Sequence, residues 1–384
     1  MKIVYFTTAQ DEKDYRSFIK LWKIALNSSN QNFHNKFIRA LAINNTVDAI
    51  SIRPFSRSNS KVRKLEKDEK IDGNITWHYL KRSGNRFLRN LNINPQVKKI
   101  LGSLDLTDSI FITDTINPSV VSAVEKVAKK YKRPVIGVCT DSPSNISGTR
   151  KSYTLYLLSK VREHDGFIAL TEGLNSLFNP NGKPHFIFEG IVENDLPEVS
   201  QKETRPYFFF GGALMKKYGV YNLIEAFKNL KNPDVDLLIC GHHGDKDKLK
   251  EAAKGCSNIK FLGLLPVNKV LEYEQQSIAC INPRPFSEDL DRFSIPSKTL
   301  EYMSSGRPVI SVRNTILMNR FPKDVLWINS SEAKDIEEAL TQVLEMSEKE
   351  RTAIGKEIKN RVQELYSIES IGKNIQDFLL QFIK

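Results

Sequence analysis

Cysteine is scarce in this sequence of 384 residues. The four cysteines are widely spaced, and no two of them form a Cys-x-x-Cys pair of the kind that holds zinc or carries redox chemistry. Three of them stand at the ends of apolar runs, where a buried strand accommodates a small, weakly polar side chain. We therefore predict reduced core thiols, with a metal or redox role as the alternative, at Cys139, Cys240, Cys256 and Cys280.

Long hydrophobic runs are missing as well. No stretch approaches the roughly 18 uncharged apolar residues that a membrane-spanning helix needs. The N-terminal residues enter a predicted strand, Lys2 to Phe6, without the pattern of a signal peptide. We therefore expect a protein of the cytoplasm.

Basic residues are in excess, and the excess lies in the first half of the chain. The net charge is +12, and residues 1–200 hold 30 Lys or Arg against 20 Asp or Glu, which leaves 27 against 25 elsewhere. Such a patch attracts the phosphates of lipids, so we expect attachment to an anionic membrane surface, with a solvated loop as the alternative. No nucleic-acid motif accompanies the charge, so no nucleic-acid partner is expected. The densest stretch includes Arg57, Lys61, Arg63, Lys64, Lys81, Arg82, Arg86 and Arg89.

Two kinds of nucleotide or metal motif are absent. There is no Gly-x-Gly-x-x-Gly, which argues against a dehydrogenase. No Asp-x-Asp pair ends a predicted strand to hold Mg²⁺, since Asp289 and Asp291 fall in a predicted loop. The adjacent His242 and His243 lack a third ligand at suitable spacing. We therefore expect no metal and no other cofactor.

Short β-branched or aromatic runs alternate with helical patterns along the chain, which is typical of parallel sheets built from βαβ units. A polar stretch, Pro197 to Arg205, interrupts the alternation and is the predicted linker. The predicted fold class is α/β, with two Rossmann-like domains, residues 1–198 and 205–365, facing each other across a cleft. A C-terminal helix, residues 366–384, is predicted to pack back on the N-terminal domain.

The most informative segment, Cys280 to Ile310, reads as a strand, a polar loop and a helix. The start of that helix contains Ser294, Pro296, Ser297 and Lys298. A helix N-terminus offers free N–H groups and the positive end of the dipole to an anion, and Lys298 adds a full charge. Glu301, three residues later, can reach the ribose hydroxyls of a bound nucleotide. The alternative is a plain surface ion pair between Lys298 and Glu301.

A second segment, Phe208 to Phe227, reads as a buried strand, the glycines Gly211 and Gly212, and an amphipathic helix. Glycines let the backbone approach a phosphate closely, and Lys217 supplies a nearby charge. Two further loops that follow predicted strands contain Gly241 and Leu265.

The run F-S-I-P-S-K-T-L-E-Y-M-S-S-G-R-P-V-I resembles the nucleotide-binding signature of the family 4 glycosyltransferases, which have the GT-B fold, and in particular of those that build bacterial surface polysaccharides. The resemblance implies that Glu301 contacts the donor ribose, and that Lys298, Ser297 and Arg284 lie at the diphosphate. The predicted donor-binding residues are Gly211, Gly212, Lys217, Gly241, Leu265, Arg284, Ser294, Pro296, Ser297, Lys298 and Glu301.

The sequence departs from the family pattern at three positions. Phe293 stands where many members carry a second glutamate, and Ala213 and Tyr218 stand where members often carry an arginine and a lysine. The departures bear on donor affinity and on any role given to a pair of carboxylates.

For the acceptor, Asp141 follows a predicted buried strand and is the candidate for accepting the proton of the acceptor hydroxyl. The alternative for Asp141 is an Asx turn or a helix cap. Thr171 ends the next predicted strand, while Glu189 and the stretch Asn30 to His34, before a helix predicted from Asn35, resemble positions that face the cleft in relatives. The further predicted acceptor residues are Asn32, Thr171 and Glu189. The predicted catalytic residues are Asp141, Lys298 and Glu301.

The resemblance implies a retaining glycosyltransferase that moves a hexose or related sugar from a nucleotide-diphosphate sugar, which is a substrate, to a lipid-linked glycan acceptor without a metal ion. We expect Lys298→Ala or Glu301→Ala to abolish turnover and to leave the thermal melt nearly unchanged. The alternatives are a non-catalytic partner subunit of another transferase, a sugar-nucleotide epimerase and a nucleic-acid binder.

Overall fold

The computed structural model describes residues 1–22, 28–53, 69–81, 93–145, 151–200, 203–242 and 244–383. The chain divides into two compact α/β units. Unit 1 comprises Met1–Ile191, Arg292–Ser294 and Ile368–Lys384, and unit 2 comprises Val192–Asp291 and Ile295–Ser367.

Unit 1 is built on one sheet, which has eight strands among the described residues, in the spatial order β3-β4-β2-β1-β5-β6-β7-β8. All neighbouring strands are parallel except β3, which pairs antiparallel with β4 at the edge. The strands β1 to β8 are Lys2–Thr7, Thr46–Ser51, Glu69–Asp72, Ile75–Tyr79, Ser109–Asp114, Val135–Cys139, Gly166–Ala169 and His185–Ile187. The central strands are buried along almost their whole length, because helices cover both faces of a parallel sheet.

The helices of unit 1 follow from amphipathic patterns. In α4, for example, Val120, Val124 and Val127 are fully buried, and Asn117 caps the first turn by accepting a hydrogen bond from the Ser119 amide. The first six helices, α1 to α6, are Glu12–Trp22, Ser28–Leu41, Ile93–Gly102, Pro118–Tyr131, Lys151–Val161 and Glu172–Phe178.

Unit 2 has six parallel strands in its described part, in the order β11-β10-β9-β12-β13-β14. These strands, β9 to β14, are Tyr207–Ala213, Asp236–His242, Ile259–Gly263, Ala279–Asn282, Val309–Val312 and Leu326–Ile328. The helices α7 to α14 are Val220–Asn229, Lys246–Ala252, Val267–Gln276, Glu288–Asp291, Ser297–Ser304, Thr315–Arg320, Ala333–Glu345 and Glu348–Tyr366.

The last helix, α15 (Ile368–Leu380), belongs to unit 1, where it packs against α2. Gly372 brings the two helices close, since a Cβ atom there would collide with the backbone oxygen of Ala40. Asn45 also donates from Nδ2 to Gln376 Oε1 over 2.8 Å. The apolar face predicted for this end of the chain includes the buried Leu379, whereas Leu380 is exposed.

The predicted architecture of two Rossmann-like α/β domains is confirmed, and several details differ. The helix predicted from Asn35 begins at Ser28, so residues 30–34 lie inside α2 and not before it. Edge strand β3 was not predicted, because its four residues are mostly exposed and carry no apolar alternation. Most of the predicted basic patch, Arg57, Lys61, Arg63, Lys64, Arg82, Arg86 and Arg89, lies outside the described residues, as does His243.

Candidate functional site

The sheet of unit 2 changes its direction of growth between β9 and β12. The chain adds β10 and β11 on one side of β9 and then β12 to β14 on the other. Strand β12 pairs with β9 only through Ala279 and Cys280, so the two strands separate before they end. In open α/β sheets such a point, at the carboxyl ends of the strands, is where ligands bind.

Tyr302 fastens helix α11 to the end of β9. Its hydroxyl accepts a hydrogen bond from the Gly211 amide over 2.9 Å and donates to the Gly211 carbonyl over 3.0 Å, and its side chain is fully buried. Burial is the main cause that raises the pKa of Tyr302, so the phenol stays neutral and can do both. Gly211 and Gly212 lie within β9, whereas the sequence analysis placed them after the strand.

A second polar contact holds α11 to the neighbouring strands. Asn282, at the end of β12, donates from Nδ2 to the Thr299 hydroxyl over 2.8 Å, and that hydroxyl lies 3.1 Å from the hydroxyl of Ser311 on β13. All three side chains are buried. Because buried polar groups are costly to leave unmatched, this network favours one position of the helix.

The first turn of α11 differs in part from the prediction. The helix begins at Ser297, after Pro296, and no side chain caps it. The Ser297 amide donates to the Ile295 carbonyl and the Thr299 amide donates to the Pro296 carbonyl, each over 2.8 Å. These two amides already have hydrogen-bond acceptors, so the charge of Lys298 is the main feature of this turn that would attract an anion.

Lys298 lies between two carboxylates. Its Nζ is 2.5 Å from Oε1 of Glu301 and 4.0 Å from Oε1 of Glu274, a residue of α9. The side chain of Lys298 is 37% exposed and that of Glu274 is 0% exposed. Burial lowers the pKa of Lys298, but the charges of Glu301 and Glu274 raise it more, so the net pKa is above the ordinary value. The ion pair that we gave as the alternative is thus present, and it has a third, buried member that the sequence analysis missed.

Arg284 follows the end of β12 by two residues. Its Nη2 lies 3.6 Å from Oδ1 of Asp291. Burial is the leading cause of a raised pKa for the Asp291 carboxyl. Arg284 therefore lies beyond the carboxyl end of β12, close to an acid, and its place at the diphosphate stays a prediction.

The helix that follows β9 also begins at this edge. Gly219 is the N-cap of α7 with a φ of 78°, and a Cβ atom there would collide with the carbonyl of Pro283, just beyond β12. Only glycine suits both the conformation and the close approach. Lys216 and Lys217 are exposed in the short 3₁₀ helix before it. The N-terminus of a helix such as α7, at a switch point of the sheet, is a typical phosphate site.

Two of the remaining predicted donor residues lie in unit 2, and one lies in unit 1. Gly241, in β10, has a φ of 149°, and a Cβ atom there would meet the carbonyl of Gly212. Leu265 is half-buried in the turn between β11 and α9. Ser294 groups with unit 1, because the segment Arg292–Ser294 packs there.

That segment explains the residue at position 293. The Arg292 carbonyl accepts a hydrogen bond from the Thr171 hydroxyl over 2.7 Å, and Gly173 leaves no room for a side chain beside it. Phe293 packs against the apolar cluster of unit 1 that contains Leu174 and Phe178. An aromatic side chain at this position therefore contributes packing.

Unit 1 has a switch point of its own, between β1 and β5. Asp114 ends β5 and is 1% exposed. Its Oδ2 accepts a hydrogen bond from Asn30 Nδ2 over 3.2 Å and lies 3.6 Å from Nε2 of His34, whose Nδ1 is 2.6 Å from the Tyr5 hydroxyl. Burial lowers the pKa of His34, so the imidazole is neutral. The sequence analysis singled out the stretch that contains Asn30 and His34 but missed Asp114, although an aspartate at the end of an apolar run could have indicated it.

The predicted acceptor residues have varied surroundings. Asp141 accepts a hydrogen bond at Oδ1 from the amide of the next residue, Ser142, over 2.7 Å, whereas an Asx turn would use the amide two residues on. Thr171 caps α6 through the Leu174 amide. Glu189 is buried after β8, and Asn32 is exposed on α2. No contact brings these four together with Asp114 among those observed for the described residues, and their acceptor role stays a prediction.

Known proteins resemble the chain in sequence over one part and in structure over the whole. Residues 192–361 match the family model described as Glycosyl transferases group 1. This match spans the β9/β12 switch point and all of α11. No curated protein sequence matches the chain.

Solved structures share the fold along the entire chain. A sucrose-phosphate synthase from Thermosynechococcus elongatus superposes with a TM-score of 0.68 at 13% identity, over 99% of each chain. An E. coli trehalose-6-phosphate protein bound with UDP-2-fluoro glucose gives a TM-score of 0.67 at 12% identity over 100% of both chains. Anabaena HepE in complex with UDP and glucose gives 0.63 at 12% identity, over 99% of this chain and 100% of that one. At these identities the likeness establishes the fold.

Three further observations concern only the described residues. None of their helices has the length and apolar character to cross a bilayer. No three His, Cys, Asp or Glu side chains among them gather so that they could hold a metal ion. The four cysteines are free thiols, three of them buried.

Proposed function

We propose that the protein is a glycosyltransferase and that unit 2 binds its donor, a UDP-sugar. The observation that carries the proposal is the β9/β12 switch point, where a lysine and a glutamate of one helix turn lie on an element fastened to the strand ends. The family match covers these residues. UDP or a UDP-sugar is present in two of the structures that share the fold.

Each donor residue has a role that its chemistry suits. Glu301 accepts hydrogen bonds from the ribose hydroxyls, and Lys298 pairs with the diphosphate. Arg284 and Lys217 lie at the ends of the same two strands and add charge. For the nucleotide to bind in this way, the carboxylate of Glu301 has to exchange its contact with Lys298 for the ribose, which a surface-accessible ion pair permits.

The reaction breaks the bond between the anomeric carbon and the diphosphate oxygen and forms a bond from that carbon to an acceptor hydroxyl. The hydroxyl proton leaves, and UDP departs with the electron pair of the broken bond. Lys298, Arg284 and the N-terminus of α7 stabilise the charge on the departing diphosphate, which is why no metal ion is needed. We expect retention of configuration and a hexose or related sugar as the group transferred.

Unit 1 is the proposed acceptor domain. Asp141, the residue predicted from the sequence, and Asp114, at the switch point of unit 1, are the two carboxylates proposed to accept the hydroxyl proton. Asp141→Asn and Asp114→Asn separate them: the variant that loses turnover but keeps UDP affinity identifies the acceptor side. If both variants keep full turnover, both assignments are wrong.

The biological setting we propose is bacterial surface-polysaccharide synthesis in the cytoplasm, with a lipid-linked glycan as the acceptor. The basic charge of residues 1–200 supports peripheral attachment to the inner face of the membrane. Sedimentation with vesicles containing anionic lipid, at low and high salt, tests this attachment. Equal recovery with neutral vesicles would contradict it.

Calorimetry with UDP-, GDP- and CMP-sugars tests the donor. We expect binding of a UDP-sugar, followed by release of UDP when a glycan acceptor is added. A protein that binds no nucleotide-sugar of this panel is not the enzyme proposed.

A non-catalytic partner subunit is the second candidate, and Phe293 favours it. The packing of this phenylalanine in unit 1 leaves the family's second glutamate without a replacement at that position. The same calorimetry separates the candidates, because a partner subunit would release no UDP with any acceptor.

A further inference from the structure

The carboxylate of Glu274 is an unusual feature of unit 2. Glu274 lies near the end of α9, and its side chain is 0% exposed. The other buried acid of this helix, Glu272, has hydrogen-bond partners. Its Oε2 accepts hydrogen bonds from Lys269 over 2.9 Å and from the Ser200 hydroxyl over 2.7 Å. The carboxylate of Glu274 lies instead near Lys298, the lysine of the proposed donor site.

Glu274 lies near a cation and near several groups whose pKa values its charge influences. Lys298 is within ion-pair distance of its carboxylate, at 4.0 Å. The negative charge of Glu274 contributes to raising the pKa values of Tyr302, Cys280 and Cys240, after the larger effect of burial. A buried carboxylate requires a compensating charge, and Lys298 supplies it.

This arrangement changes the charge that a diphosphate would meet. Lys298 contributes +1, while Glu301 and Glu274 contribute −2, so the three side chains together carry −1. Glu301 is partly exposed and can turn to the ribose, but the carboxylate of Glu274 is fully buried within 4.0 Å of the ammonium group. A fixed negative charge there opposes the binding of an anion in front of Lys298.

We propose that Glu274 is a positioning residue that holds the Lys298 ammonium at the end of β9 and limits the affinity of the site for diphosphate, so that the nucleotide product is released. This inference rests on the proposed donor site. It predicts that the nucleotide product leaves the site readily, because a site that bound UDP more tightly would slow the next catalytic cycle.

Glu274→Gln tests the inference, because it removes the charge and keeps the size. Calorimetry compares UDP, inorganic pyrophosphate and uridine. We expect UDP and pyrophosphate to bind roughly tenfold more tightly to the variant, as one charge several ångströms away produces at intermediate dielectric. Uridine carries no phosphate, so its affinity should stay unchanged.

Two matched variants serve as controls. Glu274→Asp keeps the charge, and Glu272→Gln removes a charge from the same helix beside Lys269; both should leave UDP affinity within about twofold of the wild type. Equal or weaker binding of UDP to Glu274→Gln, or a parallel change for uridine, would overturn the inference.

The proposed function can fail separately. If the wild type binds pyrophosphate but no nucleotide, the donor assignment is wrong, and the ratio of pyrophosphate affinities still decides the role of Glu274. If the wild type binds none of the three probes, both are overturned.

Discussion

At the scale of single residues, the pKa of Lys298 depends in part on Glu274, a residue of another helix whose Oε1 lies 4.0 Å from the ammonium nitrogen. Sequence analysis pairs Lys298 with Glu301, because three residues along a helix bring side chains together. Glu274 becomes its neighbour only when α9 and α11 pack on the same sheet.

This neighbour alters the expected effect of Lys298→Ala. From the sequence we expected an unchanged thermal melt, but the substitution removes the cation that lies 4.0 Å from the buried Glu274 carboxylate. We now expect the melting temperature to fall by roughly 2–4 °C, with turnover abolished. Adding Glu274→Gln should restore the melting temperature and not the turnover.

Differential scanning calorimetry measures both variants. Lys254→Ala is the matched control, since it also breaks a lysine–glutamate pair three residues apart, and both of its side chains are exposed. An unchanged melt for Lys298→Ala alone would show that Glu274 does not depend on this lysine.

At the scale of elements, the position of α11 depends on the hydroxyl of Tyr302. Tyr302→Phe removes the hydrogen bonds to the amide and carbonyl of Gly211 inside the fold. We expect a loss of about 1–3 kcal/mol in the free energy of unfolding and weaker UDP binding, because α11 carries Lys298 and Glu301.

Urea denaturation and calorimetry with UDP measure the two effects. Tyr156→Phe, on the exposed face of α5, is the control and should change neither. If Tyr302→Phe keeps full stability and full UDP affinity, the helix is held by other contacts.

The start of α7 depends on a glycine. Gly219→Ala places a Cβ atom against the Pro283 carbonyl at a φ of 78°. We expect it to destabilise the fold by more than about 1 kcal/mol and to lower UDP affinity, since α7 and the exit of β12 would be forced apart. Gly102→Ala, where a Cβ atom meets open space, is the matched control for urea denaturation.

At the scale of the whole molecule, stability depends on pH through a buried histidine of unit 1. Burial is the main cause that lowers the pKa of His164 to about 3, with Lys183 contributing in the same direction. An unfolded histidine titrates near 6.5, so between these values the unfolded chain binds a proton that the folded chain does not. Stability should therefore fall as the pH falls below about 6.5, by up to about 1.4 kcal/mol per pH unit from this residue.

His164→Gln removes this contribution. Urea denaturation between pH 7 and 5 should show a shallower loss of stability for the variant than for the wild type. Parallel curves would mean that His164 is protonated in the folded protein.

The alternation of apolar strand patterns with helical patterns was enough to predict two parallel α/β domains, because both faces of each strand have to be buried. The same reasoning located α11 to within one residue and placed Lys298 and Glu301 in its first turns. Those features are local, since they depend on periodicity and on neighbours a few residues apart.

Features that depend on distant parts of the chain were beyond sequence reasoning. The exposed strand β3 carries no periodic pattern, and the start of α2 was placed seven residues late because its first turns are polar. The Asp114 group at the switch point of unit 1 joins residues from β1, α2 and β5.

The sequence by itself thus determined the fold class and the helix that carries the candidate donor residues, because periodicity and short-range spacing specify both. Only the tertiary structure decided what lies against that helix: Tyr302 on Gly211, Asn282 on Thr299, and the buried Glu274 behind Lys298. The reason is physical. Burial and charge compensation depend on which elements pack together, and strands far apart in the chain set that packing.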